Sequence, residues 1–223
     1  MAIRDLLWAC PLCSAVGAIA PARRGEACAA CGAVFRRGKR SLIEVRRPDG
    51  VVESRSATDW AARLPAEPPG PGGEGAAAAG EGGAARLWRE ARVLARFALG
   101  DEAIRRGSVF LGTMERLGPA RAGTLALTDA DLELRLDDGE QRRWTLDELS
   151  ALQASSSTVQ IRPRGQPLVS LAFPVSSARL WEESIAAALR TRWRSLGRGE
   201  IVEFQPRIVA APTSAGGKDP SAR

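Results

Sequence analysis

The chain has 223 residues, 44% hydrophobic and 26% charged, which suffices for one or two packed domains. It contains no histidine, so the commonest general base and every Ser–His or Cys–His nucleophile are excluded. The net charge of +6 is uneven: residues 1–47 carry nine Arg or Lys against three acids and 84–223 carry 21 against 17, so the larger part lacks the broad basic patch of a dedicated DNA-binding domain.

The first residues, Met1 to Trp8, lack the apolar core of an export signal, and no stretch approaches eighteen uncharged apolar residues. A cytoplasmic chain is expected, with peripheral contact at the inner membrane surface as an option. The four cysteines of the chain then follow as two CxxC pairs, Cys10/Cys13 and Cys28/Cys31, separated by fourteen residues. Each CxxC turn places two thiolates on one side of a tetrahedral centre, and the second knuckle completes it. Four sulfurs leave no open position for water or substrate, so a structural Zn²⁺ is expected, ahead of iron, a disulfide or a redox dithiol. Arg23, Arg24, Arg36, Arg37, Lys39 and Arg40 surround this segment and offset the anionic cage. They also offer a basic surface, which makes a nucleic-acid-binding regulator the alternative reading.

Next, Arg47-Pro48-Asp49-Gly50 is turn chemistry between two short apolar runs and predicts a hairpin. A short helix is expected after Thr58 as N-cap, with Trp60 and Leu64 on one face. Residues 1–63 thus form the first unit. Residues 64–83 hold seven Gly and four Pro without an aromatic or β-branched side chain, and are expected to be a flexible linker. A GxGxxG string inside it, Gly70 to Gly75, has no preceding strand and is rejected as a nucleotide site.

An amphipathic helix is predicted from Ala84 to Leu99, closed by Gly100 (84–100), with Arg89, Arg92 and Arg96 as a basic stripe beside a broad apolar arc. From 101 to 197 the pattern becomes β. Gly107–Leu117 is the expected first strand, followed by Gly123–Thr128 and by Leu132, Leu134 and Leu136 alternating with charged residues. Asp137-Asp138-Gly139 turns the chain into the strand holding Trp144. Further strands are predicted at 149–153, 159–162 and 169–173. A final helix from Ser176 or Ser177 sets Trp181, Ile185, Ala188, Leu189 and Leu196 on one side. Residues 198–223 are expected to be a mostly disordered tail.

Seven short antiparallel strands followed by one amphipathic helix resemble a pleckstrin-homology-like barrel. The segments Gly123–Thr128, Trp144–Leu149 and Ser170–Phe173 before the helix with Trp181 are similar to its GRAM branch. The first 35 residues or so are similar to zinc ribbons. The resemblances imply an α+β, multi-domain chain whose barrel binds acidic phospholipid or peptide. Members that bind phosphoinositides use basic residues around the first two strands, which here implies Arg116 and Arg121, with Arg142 and Arg143 in a later turn. Solubilising arginines at strand ends are the competing interpretation.

With catalysis left to Asp or Glu alone, and no carboxylate pair in an apolar setting, the chain is expected to be non-enzymatic. The expectation is a metal-binding adaptor that recruits an unidentified protein partner, an acidic membrane surface, or both. Its contact candidates are Arg89, Arg92, Arg96, Arg116, Arg121, Arg142 and Arg143.

Overall fold

The computed structural model describes residues 2–23, 25–70, 87–155 and 157–197. The N-terminal unit is a five-stranded antiparallel sheet in sequential order: β1 (Ile19–Ala22), β2 (Gly25–Cys28), β3 (Val34–Arg37), β4 (Ile43–Arg46) and β5 (Val52–Arg55). Strands this short bury little, and the core is correspondingly small: Ile3, Leu7, Ile19, Phe35, Ile43, Val45 and Trp60 pack around Cys10 and Cys28. The Pro-Asp-Gly turn joins β4 to β5 as its chemistry predicts, with the Gly50 N–H bonded to Arg47 O at 3.0 Å. Helix α1 (Ala57–Ala61) follows. Its N-cap is Ser56, not Thr58: Ser56 Oγ accepts from the Asp59 N–H at 3.1 Å and the Asp59 carboxylate accepts from the Ser56 N–H at 3.3 Å. Trp60 is fully buried, and its indole N–H donates to Ile43 O at 3.0 Å.

The second unit is built on β6 (Leu87–Arg106), β7 (Val109–Leu117), β8 (Arg121–Thr128), β9 (Asp131–Leu136), β10 (Gln141–Thr145), β11 (Leu149–Ser155), β12 (Thr158–Pro163) and β13 (Val169–Ala172), closed by helix α2 (Ala178–Ser195). Seven of these strands form one antiparallel path, β10-β9-β8-β6-β13-β12-β11, and β7 pairs only with β6. Here the expectation of a helix over 84–100 is corrected. Residues 87–100 are strand, and 84–86 lie outside the described residues. Ala91, Val93, Ala95 and Phe97 turn inward while Arg92, Leu94 and Arg96 turn outward, the period of two that a strand imposes. Both edges of β6 are used, by β8 at Leu87–Ala95 and by β13 at Leu94–Phe97. The helical propensity of Ala, Leu, Arg and Glu is worth tenths of a kcal/mol per residue, and unpaired edges on two central strands cost more.

The strand count of seven stands, with a different first member. The segment expected to open a barrel, 107–117, instead folds back on the far half of β6 as a two-stranded arm whose outer half projects from the sheet. β8 and β9 cross closely at Gly123, where a Cβ would sit 2.5 Å from Arg135 O. Only glycine fits there. The core beneath is one cluster, with Leu125, Leu127, Leu132, Leu134, Trp144, Ile161 and Leu171 from the sheet meeting Trp181, Ile185, Ala188 and Leu189 of α2. Ser177 caps α2 as predicted, accepting from the Leu180 N–H at 3.3 Å, whereas Leu196 lies past its end and is exposed.

The two units touch. Trp8 and Ala9 are buried against Leu180 on the outer side of α2, with Val16 and Leu64 beside them. Glu67 pairs with Arg190 at 2.8 Å and with Arg194 at 3.6 Å. The stretch expected to be a flexible linker is therefore anchored to α2 over 64–70. Its remainder, 71–83, lies outside the described residues, as does the tail from 198 onward.

Candidate metal centre and the arginine positions

Two turns with matching hydrogen bonds build the centre. In the first, the Cys10 N–H donates to Ala15 O at 3.0 Å and the Ser14 N–H to Cys10 O at 2.8 Å. In the second, the Cys28 N–H donates to Ala33 O at 2.8 Å and the Gly32 N–H to Cys28 O at 2.9 Å. The residue after each knuckle is left-handed, Ser14 at φ 59° and Gly32 at φ 74°. Such a backbone costs a non-glycine residue about 1–2 kcal/mol. Ser14→Gly should therefore stabilise the metal-loaded chain by roughly 0.5–1 kcal/mol after the larger unfolded-state entropy of glycine is offset. A thermal melt that falls instead would show that the Ser14 side chain is needed.

The four Sγ atoms all lie within 4.8 Å of one another, with Cys10–Cys31 and Cys13–Cys28 at 3.7 Å. A tetrahedral ion bound at a metal–sulfur distance of about 2.3 Å requires sulfurs about 3.8 Å apart. The donor set thus fits one tetrahedral metal ion, held by all four cysteines, with no position left for a substrate. Burial pushes the Cys10 thiol up, opposed by the N–H groups of Leu12 and Cys13 that point at its sulfur. Burial also raises Cys13. Burial acts the same way on Cys28, but the N–H groups of Cys31 and Ala30 together with hydrogen bonds from the Cys31 and Cys13 thiols outweigh it and pull that thiol below its ordinary value. Backbone N–H groups therefore supply the compensation for an anionic sulfur cage. The nearby basic side chains Arg23, Arg37, Lys39 and Arg40 are exposed, and Arg24 lies outside the described residues.

The seven candidate arginines do not form one surface. Arg89 faces inward, and its Nε donates to Ser184 Oγ on α2 at 2.8 Å; burial lowers its pKa. Arg92 makes a two-pronged pair with Asp137 at 2.8 and 2.6 Å. Arg121 bonds Asp138 at 3.0 Å and Glu140 at 2.6 Å. Arg142 pairs with Glu140 at 2.6 Å and lies 4.0 Å from the centroid of the Phe97 ring. Arg143 pairs with the buried carboxylate of Asp131. The carboxylates respond: Asp137, Asp138 and Glu140 are all held below the usual range by these guanidinium hydrogen bonds. Only Arg96 and Arg116 are exposed with no ion pair among the described residues. The helical stripe of Arg89, Arg92 and Arg96 is lost because a strand sends Arg89 to one side and Arg92 and Arg96 to the other.

Sequence reasoning did not single out the arm. Its signal was present: Val109, Phe110 and Leu111 are three consecutive apolar residues that break the in–out alternation of a half-buried strand.

No family model matches the chain, and no curated protein matches it. Among solved structures it is similar to the crystal structure of the C-terminal domain of an unknown protein from Leishmania infantum. That likeness has 14% identity and a TM-score of 0.27, over 46% of this chain and 81% of the other. No helix among the described residues is long and apolar enough to cross a membrane.

Proposed function

We propose that this chain is a non-enzymatic recruitment module, in which a zinc-ribbon unit is mounted on a pleckstrin-homology-like, GRAM-like barrel that docks on a protein partner or an acidic membrane surface. The observation that carries this reading is the strand order. With β6 counted first and the arm strand β7 set aside, the path runs fourth, third, second, first, seventh, sixth, fifth, and a helix follows to plug the core. Seven antiparallel strands followed by one closing helix are what the resemblance implies for such a barrel. Zinc is the ion proposed for the cage, since four thiolates at tetrahedral spacing with no open site suit a structural ion.

The absence of histidine and the pairing of Asp131 with Arg143 support a binding role over a catalytic one. The contact of Trp8 and Ala9 with Leu180 and the Glu67–Arg190 pair favour two units that act as one docking body over two tethered heads. The test uses the full chain, with metal analysis and a native-lysate pull-down run with and without detergent-solubilised membranes in rising salt. One zinc per chain and a retained partner that survives added salt support the reading. Capture that vanishes with nuclease and falls steeply with salt would replace it with the nucleic-acid reading.

A further inference from the structure

The arm formed by the outer half of β6 and β7 gathers five exposed large hydrophobic residues, more than any other segment among the described residues. Ile104, Val109, Phe110, Leu111 and Met114 are between 41% and 60% exposed. A lone two-stranded ribbon is marginal in water, so such a surface calls for an occupant.

Three observations identify its class. First, the apolar residues lie on both faces. Met114 opposite Glu102 and Ile104 opposite Gly112 share one face, while Phe110 opposite Arg105 lies on the other, with the Arg105 guanidinium 5.9 Å from its ring centroid. A second copy or a folded partner stacking on one face would leave the other wet; end-on insertion into an apolar medium covers both. Second, charge is graded along the arm. Arg105 and Arg106 stand at the tip, and Asp101, Glu102 and Glu115 lie nearer the barrel, with Glu115 already paired to Arg162. At about 3.4 Å per residue, Glu102 lies about 10 Å or more back from the tip arginines, beyond the screening length at physiological salt. Third, many of the other arginines around the sheet are spent on internal carboxylates, whereas Arg105 and Arg106 at the tip make no ion pair among the described residues, a property they share with Arg96 and with Arg116 at the base of the arm. A cationic, apolar tip with its acids withdrawn is complementary to an anionic bilayer surface.

We propose that the tip of this arm, residues 104–111, inserts into the headgroup layer of an anionic membrane. Val109 and Phe110, with Leu111 beside them, reach the base of the headgroup layer, and their cross-strand neighbours Arg106 and Arg105 extend their long side chains back to the phosphates. The proposal rests on the recruitment reading and names its membrane contact. The turn residues Gly107 and Ser108 bring only short stretches of unpaired backbone edge to that depth, where water is still present.

The test is co-sedimentation of the full, metal-loaded chain with vesicles of phosphatidylcholine alone or mixed in equal parts with phosphatidylserine. Wild type is expected to bind the anionic vesicles. The double variant Phe110→Ser, Leu111→Ser should lose about tenfold or more in affinity, and the loss should persist in salt. Arg105→Glu with Arg106→Glu should abolish the preference for anionic vesicles. Val175→Ser, at a residue 83% exposed outside the arm, should bind as wild type does. Anionic-vesicle binding by wild type that both tip variants retain would overturn the arm while leaving recruitment intact. No vesicle binding by wild type also overturns it, and the lysate pull-down then decides the recruitment reading separately. A wild-type dimer dispersed by the Phe110/Leu111 variant, with no vesicle binding, would assign the arm to self-association instead.

Discussion

Replacing Cys28 by serine should unfold the N-terminal unit and leave the second, sheet-and-helix unit folded. Cys28 is buried in the centre of the small core and supplies one corner of the sulfur cage. A structural zinc in such a cage contributes on the order of 10–16 kcal/mol at neutral pH, more than a core of this size can replace. The variant is expected to purify without stoichiometric metal and to become sensitive to protease throughout 2–61, with the β signal of 87–172 retained. The second unit should not be untouched, because Trp8 and Ala9 cover Leu180 only while the first unit is folded. Its melting midpoint should fall modestly. Chelation of the wild-type protein should reproduce both effects. Metal affinity should rise with pH, since the Cys10 and Cys13 thiols are raised and must shed their protons to ligate. A Cys28→Ser protein that melts like wild type without metal would show that the apolar core alone carries the unit.

The second large effect is expected at α2, the helix that packs on the core of the seven-stranded sheet. Trp181 is fully buried and stacks on Phe173, with ring centroids 5.1 Å apart and planes at 20°. Trp181→Ala should cost about 3–5 kcal/mol and lower the melting midpoint of the second unit by about 10 °C or more. Trp181→Phe keeps the stacked ring. It also removes an indole N–H that is buried without a hydrogen-bond partner among the described residues, a group whose desolvation is unfavourable by about 1–3 kcal/mol. Its net loss should therefore be much smaller, within about 1.5 kcal/mol. Melts followed by far-UV circular dichroism separate the two. An alanine variant as stable as wild type would mean that α2 merely covers the sheet edge.

What the sequence determined by itself was local. Two CxxC turns at the right separation define a four-sulfur cage, because each knuckle is closed by hydrogen bonds within six residues. Pro48-Asp49-Gly50 and Asp138-Gly139 specify their turns for the same reason. Leu132, Leu134 and Leu136 could be read as a strand because one face is buried and the other wet. The spacing of Trp181, Ile185 and Ala188 marked a helix with one covered face. Tertiary structure decided what depends on distant partners. Residues 87–100 have the composition of a helix and become the central strand, because β8 and β13 each need a neighbour to bond. The arm emerges only once β6 outruns both of those neighbours and takes β7 as its sole partner. Five of the seven candidate arginines find side-chain partners 2 to 95 residues away, such as Arg92 with Asp137 and Arg89 with Ser184. Most of those pairings follow from strand register and helix docking, and no spacing in the sequence encodes either. The same holds for Trp8, whose cover is a leucine in the last helix.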